Sequence, residues 1–70
     1  MQTKPLIIER TLSRLKSEDI DAAVSWVWFF ASNADERHAV DSWLVATNHP
    51  LAKQPGTQTD RFRAIVKELS

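Results

Sequence analysis

Apolar residues in this chain recur with helical spacing, and polar or breaker residues cut the pattern into four segments. In the first, about residues 4–16, Ile8, Leu12 and Leu15 follow i, i+4, i+7, with Thr11 on the same side. Pro5 suits a first helical turn, although Leu6-Ile7-Ile8 is also β-prone and could begin extended. Ser17-Glu18-Asp19 reads as the next helix start, with Ser17 as N-cap and two acids in the electropositive first turn. The second helix runs to Ala31 or Ser32. Asn33, with Glu36 three residues on, has the spacing of a capping box and opens a third helix over about residues 34–46. Its stripe is Ala39, Val40, Trp43, Leu44 and Thr47, which leaves Asp35, His38, Asp41 and Ser42 outside. Asn48-His49-Pro50 ends it, because a residue before proline is pushed out of the α region. Residues 51–54 can make one further turn, and Pro55-Gly56 breaks the chain. The last helix, about residues 58–68, is capped by Thr57 or Thr59. It carries the stripe Phe62, Ile65, Val66 and Leu69, with Arg61, Arg63, Lys67 and Glu68 outside.

The second helix departs from ordinary amphipathicity. At about 100° per residue, Ile20, Ala23, Val24, Val27, Trp28 and Ala31 share one face. Ala22, Trp26, Phe29 and Phe30 lie roughly opposite, and only Asp21, Ser25 and Ser32 make a narrow polar stripe. Trp26 and Trp28 are two residues apart and so about 200° apart on the helix. One small core can take only one of them. Either the rest of the chain wraps this helix or a second protein covers one side. The pattern therefore predicts an all-α fold, a compact bundle of four short helices in a single domain spanning residues 1–70. Helix two is expected at its centre and as its most buried element, with Val24, Val27 and Trp43 in the core.

Seventy residues support one small core, and no cysteine is present to staple it or to bind metal as a thiolate. The absence of cysteine fits a cytoplasmic protein. The formal net charge is zero, so the chain has no basic field for nucleic-acid phosphates and no acidic field to mimic them. The longest uncharged run, residues 22–34, holds 13 residues, short of the ~20 a membrane span needs. Glu9 and Arg10 interrupt any signal-peptide core near the start. This segment is expected to make no membrane contact.

Catalytic chemistry finds little footing. His38 and His49 are separated by 11 positions, with no carboxylate at zinc-site spacing, so no metal site is expected. His38 falls on the exposed side of helix three and His49 in the turn before Pro50. No glycine stands beside a serine, and Gly56 is the sole glycine, which excludes a nucleophile elbow and a phosphate-cradling loop. The carboxylate pairs Glu18/Asp19 and Asp35/Glu36 sit in helix first turns, where the dipole accounts for them. No enzyme, no catalytic residue and no cofactor are expected. A helix-turn-helix built from helices two and three would aim Asp35 and Glu36 at phosphate, which is repulsive, and Arg61, Arg63 and Lys67 form only a weak basic stripe. Direct nucleic-acid binding is accordingly not expected. The candidate site is a protein-binding surface made of Trp26, Phe29 and Phe30, covered by a partner or by a second copy of the chain. Adjacent exposed Trp and Phe have the composition of binding hot spots.

Ala23-x-x-Trp26-x-x-x-Phe30, a short polar interval, then Asp35-Glu36-Arg37-x-Ala39-x-x-x-Trp43-Leu44 and Pro50-x-Ala52 resemble the N-terminal cytoplasmic domain of FecR-type sigma regulators. The resemblance covers about residues 22–53. The link between the tryptophan helices is shorter here, the turn histidine precedes its proline, Pro55-Gly56 interrupts a helix that the family continues, and Trp28-Phe29-Phe30 is a heavier aromatic cluster. The resemblance implies a small anti-sigma module that binds an extracytoplasmic-function sigma factor in the cytoplasm by occluding its surface. In full-length regulators a transmembrane helix and a periplasmic domain follow, placing such a module on the cytoplasmic side of the inner membrane. Those following parts receive a signal from an outer-membrane siderophore transporter, which ties such a module to control of iron uptake. Alternatives from other classes are a small DNA-binding transcriptional regulator and a phage-type inhibitor or adaptor of a host protein.

Overall fold

The computed structural model describes residues 3–70. Four α-helices follow one another: α1 (Leu6–Arg14), α2 (Ile20–Phe30), α3 (Ala34–Ala46) and α4 (Gln58–Leu69). A single 3₁₀ turn, Pro50–Lys53, lies between the last two. There is no strand among the described residues, and the fold is the all-α four-helix bundle that the periodicity predicts. No helix is long and apolar enough to cross a membrane among the described residues.

Leu6-Ile7-Ile8 is helical from Leu6, and its three consecutive apolar residues cannot share a side. Ile7 and Ile8 enter the core with Thr11, whose hydroxyl donates to the Ile7 carbonyl at 2.8 Å, while Leu6 points outward at 73% exposure. The expected cap at Ser17 is corrected to Asp19. The Ser17 and Glu18 amides both bond back to the Arg14 carbonyl, so Ser17 continues the end of α1 and cannot adopt the extended cap conformation. Asp19 is extended, and its Oδ1 accepts from the Ala22 amide at 2.8 Å.

Asn33 caps α3 as expected, accepting from the Glu36 amide at 2.9 Å. The reciprocal half of that box does not form, because the Glu36 carboxylate pairs with Arg10 of α1 instead. The full capping box is at α4, where Thr57 and Asp60 bond each other's backbone amides, both at 3.2 Å. Helix α3 stops at Ala46 with Pro50 outside it, as expected. Asn48 takes a left-handed conformation, φ 56°, and His49 and Asn48 amides bond the Leu44 and Val45 carbonyls in a Schellman pattern. His49, next in the chain and directly before Pro50, is extended, as the residue before a proline is expected to be.

The core is Ile7, Ile8, Val24, Val27, Trp28, Val40, Leu44, Phe62, Ile65 and Val66. Trp28 stacks on Phe62 with ring centroids 4.5 Å apart. Trp43 is only partly buried and packs at the margin of this cluster, together with Leu12, Leu15, Ile20 and Leu51. This corrects the expectation that Trp43 is a core anchor: Val40 and Leu44 form the buried line of α3, and Trp43, about 100° round the helix from Leu44, falls at its edge. Thr47 and Leu69 are likewise exposed. The centre of the bundle is α4, which packs against α1, α2, α3 and the 3₁₀ turn, whereas α2 packs chiefly against α1 and α4. Helix α2 therefore lies on the rim, with one face in the core and the other in water.

Candidate protein-binding surface

The inner face of α2 buries Ala23, Val24, Val27 and Trp28. The 200° offset then turns Trp26 outward, with Phe29 and Phe30 beside it. Trp26 is 46% exposed, Phe29 59% and Phe30 73%. These are the three residues proposed from the helical wheel, and they share one outer surface.

The surface is ordered by its own contacts. Trp26 and Phe30, one turn apart, stack with centroids 5.3 Å apart and planes inclined by 27°. The Arg14 guanidinium of α1 lies over the Trp26 ring, 5.3 Å from its centroid, in a cation–π contact. Arg14 Nε is also 2.6 Å from Glu18 Oε2, an ion pair whose N–H is not aimed for a hydrogen bond. Arg10 donates from Nη1 to the Ala31 carbonyl at 2.7 Å and ties the end of α2 to α3 through Glu36. On the far edge, Arg63 of α4 donates to Asp21 at 2.7 Å. Phe29 leans over an open groove of about 380 Å³, lined also by Ala34, Arg37 and the first turn of α4, Thr57 to Thr59. Arginines of α1 and α3 thus border the aromatic strip, and Arg63 of α4 lies toward the other end of α2.

Two further apolar side chains stand in water that the wheel did not single out, Leu6 and Val45, at 73% and 68% exposure. The signal for Leu6 was present in the sequence: three apolar residues in succession cannot all face one side of a helix.

Arg61 and Asp41, both expected outside the apolar stripes, do not form a solvated face. Arg61 Nε and Nη2 donate to Asp41 Oδ1 and Oδ2 at 2.9 and 3.1 Å, a two-pronged bridge between α4 and α3. Their side chains are only 18% and 24% exposed. Arg61 Nη1 also donates to the Gln54 and Gly56 carbonyls, which fastens the loop before α4. In that loop Gly56 has φ 121°, a conformation unfavourable for other residues, and a Cβ there would lie 2.9 Å from Asp60 Oδ2. The Arg61 hydrogen bonds hold the Asp41 carboxyl below the usual carboxylate range, against the opposing effect of its burial. A depressed folded-state pKa adds stability that is present above the unfolded value near ~3.9 and is lost as pH falls through the folded one. Arg61→Ala should therefore destabilise the fold by about 2 kcal/mol near neutral pH. Its urea midpoint should also fall less than the wild type's between about pH 5 and about pH 2. Parallel declines in the two proteins would contradict this role for the pair.

His38 is exposed on α3. His49 Nδ1 accepts from the Leu51 amide at 3.1 Å, capping the 3₁₀ turn, and its Nε2 lies 3.5 Å from Glu68. No cluster of three or more His, Asp or Glu side chains suited to a metal ion occurs among the described residues. No family model, curated protein or solved structure matches the chain.

Proposed function

We propose that this chain is a regulatory protein-binding domain that uses the outer face of α2, Trp26, Phe29 and Phe30, to sequester or control an extracytoplasmic-function sigma factor. The observation that carries the protein-binding part is the placement of three adjacent aromatics in water on a well-capped helix. Given about 200 Å² per aromatic side chain, they leave on the order of 350 Å² of apolar surface exposed, within the size range of functional patches. Arg14 and the Trp26–Phe30 stack hold part of that surface in one arrangement, so little rotamer freedom is lost on binding. The partner class rests on the likeness of Ala23, Trp26, Phe30, Trp43 and Leu44 to the FecR-type pattern. Occlusion of a sigma-factor surface in the cytoplasm needs apolar contact area and no catalytic group, which agrees with the chemistry of the patch.

The basic stripe of α4 gives the DNA-binding alternative little support. Arg61 and Arg63 are each engaged by a carboxylate, Asp41 and Asp21, and their charge is compensated. Calorimetric titration of the purified chain with an extracytoplasmic-function sigma factor from the same organism tests the proposal. A stoichiometric complex that persists at high salt is expected. Absence of that complex, together with duplex-DNA binding that weakens steeply with salt, would replace it with the DNA-binding reading.

A further inference from the structure

The outer face of α2 has a polarity along its length. Its first half carries small side chains, Ala22 and Ser25, and its second half the large ones, Trp26, Phe29 and Phe30. Its charges are polarised in the same direction along the edge next to α4. Asp21 marks the N-terminal end of that edge, with its side chain 71% exposed beside Arg63. Arg37 marks the C-terminal end, where it lines the groove under Phe29. Arg10, Arg14 and Arg63 each have a carboxylate partner, Glu36, Glu18 and Asp21. Arg37 has none within ion-pair distance among the described residues; its Nε donates only to the Asn33 carbonyl at 3.3 Å.

We propose that the free chain covers this face with a second copy of itself, α2 against α2 and antiparallel about a two-fold axis, so that self-pairing competes with the partner of the same surface. A two-fold axis lying between the helices, perpendicular to both and passing near Ser25 and Trp26, sets Ala22 of each copy against Phe29 of the other. Small then meets large at both ends, which is the self-complementarity an isologous interface requires. The same operation keeps the α4 edges of both copies on one side. It brings each Arg37 toward the other copy's Asp21, and the charge contact is made twice. The zero net charge of the chain places no long-range repulsion in the way. The two aromatic faces together, with the small residues and charged rim, approach the lower end of stable interfaces, about 1,200 Å² in total. A weak, reversible dimer follows, one that a tighter partner displaces. This inference rests on the outer face of α2 being the binding surface and is independent of the partner's identity.

Sedimentation velocity of the full chain across about 1 µM to about 500 µM reads the pairing directly. The wild type is expected to pass from monomer to dimer within that range. Asp21→Arg and Arg37→Asp should each weaken pairing by about tenfold or more, because each sets like charges opposite each other at both contacts. Both side chains lie at the surface or its margin, and circular dichroism should show both variants folded. An equimolar mixture of the two variants should recover the dimer, because every contact in the mixed pair again joins opposite charges. Phe29→Ala should abolish it. A wild type that stays monomeric throughout would overturn the proposal, as would a dimer that neither charge reversal weakens or that the mixture does not restore. A monomeric wild type that still binds the sigma factor through Phe29 would overturn self-pairing alone and leave the proposed function intact.

Discussion

Phe62→Ala is expected to leave the chain predominantly unfolded at room temperature. Phe62 is fully buried on α4, the helix that packs against all the other elements, and its ring stacks on Trp28 at 4.5 Å. Emptying such a site costs about 3–5 kcal/mol, from lost transfer energy and from the cavity left behind. A domain of this length has only about 4–10 kcal/mol of stability in all, and a core this small falls toward the lower end. The ring is the α4 half of a stacked pair with Trp28 of α2, so its removal also strips the indole of its aromatic partner. Far-ultraviolet circular dichroism and a urea titration followed by tryptophan fluorescence check this. A cooperative transition with a midpoint near the wild type's would show that α4 is not the centre of the bundle.

The same substitution on the outer face of α2 should do the opposite. Phe29→Ala is expected to keep its fold and its urea midpoint to within about 1 kcal/mol, because most of that ring is already in water. Its effect should appear in binding. A pocket-filling aromatic that acts as a hot spot contributes at least about 2 kcal/mol, so sigma-factor affinity should fall by more than about tenfold. The loss should be mainly in dissociation rate, since the substitution changes no charge. An unfolded Phe29→Ala protein would place Phe29 in the core, against its 59% exposure. A folded variant that binds the sigma factor like the wild type would move the sigma-binding surface elsewhere on the domain. Leu6 and Val45, the other large apolar side chains most exposed, would then be the next positions to test.

The contrast between two phenylalanines in one small chain shows where local pattern suffices. The four helices, the bounds of α3, the Asn33 cap, a threonine cap for α4 at Thr57 or Thr59 and the stripe of Phe62, Ile65 and Val66 are all legible in the linear chain. Each depends on residues within a few positions of one another, where helix periodicity and capping chemistry act. The outward-facing trio Trp26, Phe29 and Phe30 was legible for the same reason, because two opposed apolar faces on one helix cannot both enter a core this small. Which residues of the other helices meet the inner face is not written in that pattern. That choice belongs to packing between residues far apart in sequence, such as Trp28 with Phe62. The same holds for Glu36, which satisfies Arg10 of α1 in place of its own helix start, and for Arg61, which leaves a seemingly solvated stripe to bridge Asp41 and the loop at Gly56. A charged side chain has several acceptors of similar strength within reach. The one it takes is set by which helices come together, and that is a property of the assembled bundle and of no single segment of it.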